Sequence, residues 1–293
     1  MSSLVLVVIL AQAAPGAPAP QIDCTEGKAR ISVWDRARAP YLGKYCDLLA
    51  QAEVRLPQEP ARAEQAATAA ASLVANQAAP LVLRGRAALL LGKVEAARQF
   101  FERALTMDSA ALRDPRALQD HAAALRDTGE TGRAIEAYRL LLPRLDGIPG
   151  EEARTRARLD AALALMLEGP GGLEVAQTVV RDAAERGAPA LRAVARAVLA
   201  LVLDRAGAQA QAQAAASEAK RAGAAWALMT TPAPLGWPVE ALAVQAKLRE
   251  VTEPSAAIAT WEAYLARASR GPWAAHARAR LAELQKRFPG RKQ

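Results

Sequence analysis

The chain has 293 residues, 52% of them hydrophobic but only 4% aromatic, and a net charge of +8. That length allows one repeat array or one to two domains, and an apolar fraction rich in alanine makes helices that must pack closely and in numbers. No stretch joins β-branched alternation to turn signals, which excludes a sheet. The arginines are interleaved with acids at helical spacing, as in Arg98 and Glu102 or Glu152 and Arg156, whereas nucleic-acid binding calls for concentrated charge and stacking aromatics.

The first residues bear on location. Residues 4–10 are an unbroken apolar run, and Ala11, Gln12 and Ala13 follow as a small-x-small site. This is the order of a secretory signal peptide over residues 1–13, although Met1, Ser2 and Ser3 add no Lys or Arg. The run is too short for a bilayer, which needs about 20 apolar residues, so no integral membrane span is expected. Residues 14–40 form a flexible segment. The expected location is periplasmic or secreted. Cys24 and Cys46 are the chain's two cysteines. An even count in an exported chain suggests a disulfide, the alternative being two unpaired thiols. Neither has a second Cys or a His at ligand spacing, so no metal and no cofactor is expected.

The helical pattern begins at residue 41. Leu48 and Leu49, then Ala66, Ala70 and Leu73, fit two helices split at residues 56–60. In residues 78–111, Gly85 opens the packed face of a helix, Gly92 closes it, and Ala97, Phe101 and Ala104 follow on the next. Residues 115–148 repeat this: Leu118, His121, Ala122 and Leu125, then Gly129, then Ala134 and Tyr138. A third unit keeps Ala162, Gly169, Ala176 and Val180, and a fourth keeps Ala200, Gly207, Ala212 and Ala216. Residues 224–238 break the rhythm with Pro232, Pro234 and Pro238, because proline cannot continue a helix. Trp226 and Trp237 flank that connector and read as packing filler. A fifth unit, residues 239–267, carries Ala257, Trp261 and Tyr264. Residues 273–287 make a closing amphipathic helix, and residues 288–293 a tail. The domain organisation is thus repeats over 41–223, the connector at 224–238, and a last unit with its cap over 239–287.

The Gly-to-Gly spacing and the Ala-x₃-aromatic step resemble the tetratricopeptide repeat (TPR), most specifically over residues 78–148. The closing pattern from Trp261 to Leu284 is similar to the ending of bacterial envelope TPR proteins. The resemblance implies an all-α fold, an α-solenoid of antiparallel helix pairs forming a TPR-like superhelix. Its packing positions fall on Gly85, Gly92, Ala97, Phe101, Ala104, Gly129, Ala134 and Tyr138. Its groove-lining positions fall on Arg86, Arg116, Gln119, Arg126 and Arg156, where a peptide or partner protein would lie. Arginine suits carboxylates, so an acidic segment or a C-terminus is the expected ligand.

Nothing in the sequence assembles a catalytic set. No serine sits in a nucleophile elbow. Residues 169–172 are not followed by a phosphate-binding Lys-Ser/Thr, and His121 and His276 belong to different ends of the array. The expectation is a non-enzymatic interaction scaffold of the bacterial cell envelope. The alternatives are an accessory subunit or enzyme of cell-wall processing and a cytoplasmic regulatory repeat protein. The oligomeric state stays open.

Overall fold

A computed structural model describes Cys24, residues 39–228 and residues 235–289. The expected signal peptide, most of the 14–40 segment, Pro232 and Pro234 of the connector and the end of the 288–293 tail lie outside the described residues. Fourteen α-helices and no strand are present among the described residues. They divide into two compact units, one of residues up to 92 with 99–112, the other of residues 93–98 with those from 113 onward.

The first unit holds α1 (Pro40–Arg55), α2 (Pro60–Leu73), α3 (Ala78–Leu90) and the second half of α4 (Val94–Met107). Proline opens α1 and α2, where the missing N–H belongs to the unpaired first turn in any sequence. Tyr45, Leu49 and Ala52 of α1 pack on Ala63, Ala66, Ala67 and Ala70 of α2. The small residues let the two helices approach, and Tyr45 supplies the volume that alanine lacks. Ala78, Leu81 and Ala104 bring α3 and α4 together in the same way. Gly85 lies against the Phe101 ring, and a Cβ there would stand 3.0 Å from two ring carbons.

The second unit continues the pairing with α5 (Pro115–Asp127), α6 (Thr131–Leu141), α7 (Glu151–Met166), α8 (Leu173–Arg186), α9 (Pro189–Arg205) and α10 (Gln209–Arg221). A one-turn α11 (Ala224–Ala227) precedes α12 (Pro238–Arg249), α13 (Pro254–Arg267) and α14 (Ala274–Arg287). Helix α5 packs on α6, α7 on α8, α9 on α10 and α12 on α13, while α14 closes on α13. Asp114 caps α5 by accepting from the Arg116 amide at 3.0 Å. The other end of α5 finishes in a Schellman motif. Gly129 sits at φ +82°, its amide donates to the Arg126 carbonyl, and the Glu130 amide donates to the Leu125 carbonyl.

Helix α9 contacts α7, α8 and α12 besides its own partner α10, and its residues are accordingly buried nearly all round, Leu191, Val194, Val198, Leu201 and Val202 among them. Two 3₁₀ turns, Leu142–Gly147 and Pro170–Gly172, lengthen the connections around α7. The fold class is the expected one, all-α, with successive helices packed as antiparallel pairs within each unit.

Candidate functional site

The site forms where the chain returns after α11. Residues 235–237 cross to α7, 76 positions earlier. There the Gly236 amide donates to Asp160 Oδ1 at 2.8 Å and the Trp237 indole Nε1 donates to the Asp160 carbonyl at 3.0 Å. Arg126, in the last turn of α5, completes the cluster. Its guanidinium grips Asp127 at 2.6 and 3.0 Å, stands 3.6 Å from Asp160 Oδ2, and lies 5.9 Å from the Trp237 ring centre. The Tyr138 ring of α6 lies 6.3 Å from that of Trp237. A Cβ on Gly236 would come within 2.0 Å of the Arg126 guanidinium, which would have to move aside to admit it.

Burial sets the electrostatics. It raises the Asp160 carboxyl above its usual range, against the pull of Arg126 and the Gly236 amide. Burial opposes the Arg126 charge as well, but the Asp127 hydrogen bond and the Asp160 and Asp127 charges outweigh it and raise its pKa. Burial also pushes the Tyr138 hydroxyl up, against the pull of the Arg126 charge. Beside this cluster opens a cavity of about 390 Å³, walled by Arg126, Asp127, Leu167, Trp237, Glu240 and Tyr264. The volume falls within the ordinary size of a small-ligand or side-chain pocket.

A buried ionic network lies behind the cavity. The Arg205 guanidinium and Glu240 carboxylate meet at 2.7 Å, and the Tyr264 hydroxyl lies 3.2 Å from Glu240. Next to them Lys247 Nζ contacts Asp204 at 2.6 Å and Glu250 at 2.9 Å, His276 Nε2 meets Asp204 at 2.7 Å, and Arg280 pairs with Glu250. Burial works against the Asp204 charge, but His276, Lys247 and Arg280 together hold its carboxyl at about 2. The indoles of Trp261 and Trp273 donate to Glu250 and to the Met166 carbonyl. Trp237, Trp261 and Trp273 are therefore tied into the array. Trp226 departs from the packing role expected for it: it is 75% exposed, because α11 is a single turn with only Ala224 and Leu228 turned inward.

The sequence-predicted groove residues fall on first helices. Arg116, Gln119 and Arg126 share one side of α5, and Arg156 sits on α7 one turn before Asp160. Arg86 is half-buried on α3, in the other unit. Arg116 already holds Asp114 at 2.9 Å, Arg126 holds Asp127, and Arg156 holds Glu152 at 2.8 Å. Ala97, Phe101, Ala104, Ala134 and Tyr138 are fully buried, and Gly92, like Gly129, adopts positive φ just past its helix. Cys24 and Cys46 are joined by a disulfide. Asp160, Asp204, Glu240 and Lys247 escaped the sequence reading. Asp204 had a signal, a lone carboxylate closing the run LALVL inside α9.

No group of three His, Cys, Asp or Glu suited to a metal occurs among the described residues, and no helix among them is long and apolar enough to cross a membrane. No family model matches the sequence, and no curated protein matches it. Solved structures do resemble the fold. A tetratricopeptide repeat protein from Parabacteroides merdae is 16% identical, over 76% of this chain and 80% of its own, with a TM-score of 0.47. An assembly chaperone of RpL4 is 18% identical, over 84% and 99%, with a TM-score of 0.48. A thermophilic TPR protein of Thermus thermophilus is 23% identical, over 71% and 98%, with a TM-score of 0.40. The pairing of successive helices, the Gly85–Phe101 contact between α3 and α4 and the glycines that end α3 and α5 are features of a helical-repeat fold.

Proposed function

We propose that this chain is a non-enzymatic protein-interaction scaffold of the bacterial cell envelope, receiving a peptide or partner protein on the first-helix side of its pairs. The observation that carries this reading is the preformed cavity beside Trp237, whose walls are fixed by hydrogen bonds between segments 76 and 77 residues apart. A wall fixed before binding loses little entropy when a partner arrives. Arg116, Gln119, Arg126 and Arg156 are the proposed groove residues of the second unit, and Arg86 is that of the first. A cleft lined by a carboxyl of raised pKa would favour the enzyme alternative. Asp160 has the raised pKa, but its Oδ1 is engaged by Gly236 and it does not line the cavity. The disulfide supports an oxidising compartment, as does the apolar run of residues 4–10.

Photo-crosslinking from native cells tests the scaffold. A crosslinker at Ala268, on the cavity wall, is expected to trap a discrete protein partner, and one at exposed Val175 of α8 is not. Equal trapping from both positions sinks the proposal. A reporter fused after residue 30 that stays in the cytoplasm removes the envelope part alone.

A further inference from the structure

The cavity beside Trp237 also carries the chemistry of its occupant; this inference rests on the scaffold reading and goes one step past it. Three charged side chains reach the wall, and they are not equally available. Glu240 is buried and engaged by Arg205 and Tyr264. The Arg126 side chain is only 13% exposed and is directed at Asp127, Asp160 and the Trp237 ring. Both Asp127 oxygens accept from Arg126, yet the Asp127 side chain is 35% exposed, the most open of the three. The charge a visitor meets is therefore a carboxylate. Helix ends do not reverse this: α5, α7 and α13 bring their C-terminal ends to the wall, and α6 and α12 their N-terminal ends. The rest of the wall is apolar or aromatic, with Leu167, Trp237, Pro238 and Tyr264.

An acidic group at the edge of an aromatic-walled cavity suits a side chain with an aliphatic stem and a cationic head. The stem covers apolar surface while the head stays near water and the carboxylate. A carboxylate ligand would meet Asp127 and would have to displace it from Arg126. We propose that this cavity receives an arginine or lysine side chain of a partner peptide, its stem along Trp237 and Leu167 and its charge at Asp127. The acidic-ligand preference expected from the arginines of the first helices does not extend to this cavity.

The test uses the full-length chain carrying ¹⁵N-labelled tryptophan. The Trp237 indole signal, assigned by its loss in Trp237→Phe, is followed while N-acetyl-argininamide, N-acetyl-norleucinamide or the α-amide of N-acetyl-glutamate is added. The arginine probe is expected to shift the signal saturably and to bind more tightly than the norleucine probe, and the glutamate probe is expected to leave it in place. Asp127→Asn should weaken the arginine probe roughly fivefold, the upper range for one exposed ion pair. Thr131→Lys, which adds a cation to the wall and leaves Asp127 untouched, should weaken it in the same direction. Equal binding of the arginine and norleucine probes, binding of glutamate in preference to arginine, or no saturable shift with any probe each overturns the proposal. A cavity that binds the arginine probe in a chain that traps no partner at Ala268 retires the scaffold and leaves the cavity's chemistry standing. A trapped partner with an indifferent cavity does the reverse.

Discussion

At Gly85 two effects of opposite sign meet. Alanine in its place would favour the helix by about 1 kcal/mol. Its methyl group would also stand 3.0 Å from Cε1 and Cζ of Phe101, a ring with no exposed surface into which to swing. Overpacking of this kind costs about 1–3 kcal/mol, so the steric effect wins. Gly85→Ala should lose about 1 kcal/mol net in urea unfolding, and the double variant with Phe101→Leu should lose less than the sum of the singles. A Gly85→Ala variant more stable than the parent would show that the ring yields freely. Both residues were legible in the sequence because the pairing of a small residue with an aromatic one is a local pattern, 16 positions apart on consecutive helices. The contacts of Asp160 were not, since nothing near it in sequence announces a partner 76 residues away.

At the scale of elements, Asp204 joins α9 to α12 and α14. Its carboxylate, without exposed surface, meets Lys247 of α12 and both His276 and Arg280 of α14. Asp204→Ala would leave the Lys247 ammonium in the interior with Glu250 as its carboxylate partner, also shared with Arg280. Breaking one side of a buried pair costs about 3 kcal/mol or more. The carboxyl's folded value of about 2 lies below its ordinary 3.8. Its stabilising effect, about 2 kcal/mol by that difference, is complete above the ordinary value and is lost as pH falls through the folded one. The stability gap between the parent and Asp204→Asn should therefore narrow between about pH 4 and pH 2. Urea midpoints across that range check it, and a gap that widens toward acid would contradict the assignment. Helix α9 itself was easy to see from its alanines and branched apolar residues. The network it supports was hidden because acids and bases on a helical repeat ordinarily mark solvated faces, and burial alone separates Asp204 from the rest.

At the scale of the molecule, alanine periodicity made the architecture readable throughout, whereas the candidate site depends on how residues 235–240 fold back, which no repeat pattern encodes. The same distinction between local and long-range ties governs how the chain should come apart. Stacked helix pairs draw stability from their own packing and from the next pair along, so a constraint at one end should be felt at that end. The disulfide is such a constraint. It fastens Cys24 to α1, against the cluster that includes Tyr45, Leu49 and Ala67, and closes a loop of 22 residues. Closing a loop of that length stabilises by about 3 kcal/mol in the chain-entropy model, or roughly a hundredfold in an opening equilibrium. Replacing Cys24 and Cys46 together by serine should raise amide hydrogen exchange in α1 and α2 by up to that factor. Exchange in α9, α12 and α14, whose charged network belongs to the second unit, should be unchanged. Acceleration of the same size in α1 and in α9 would mean that the chain opens as one cooperative body, and the local account of its stability would have to be abandoned.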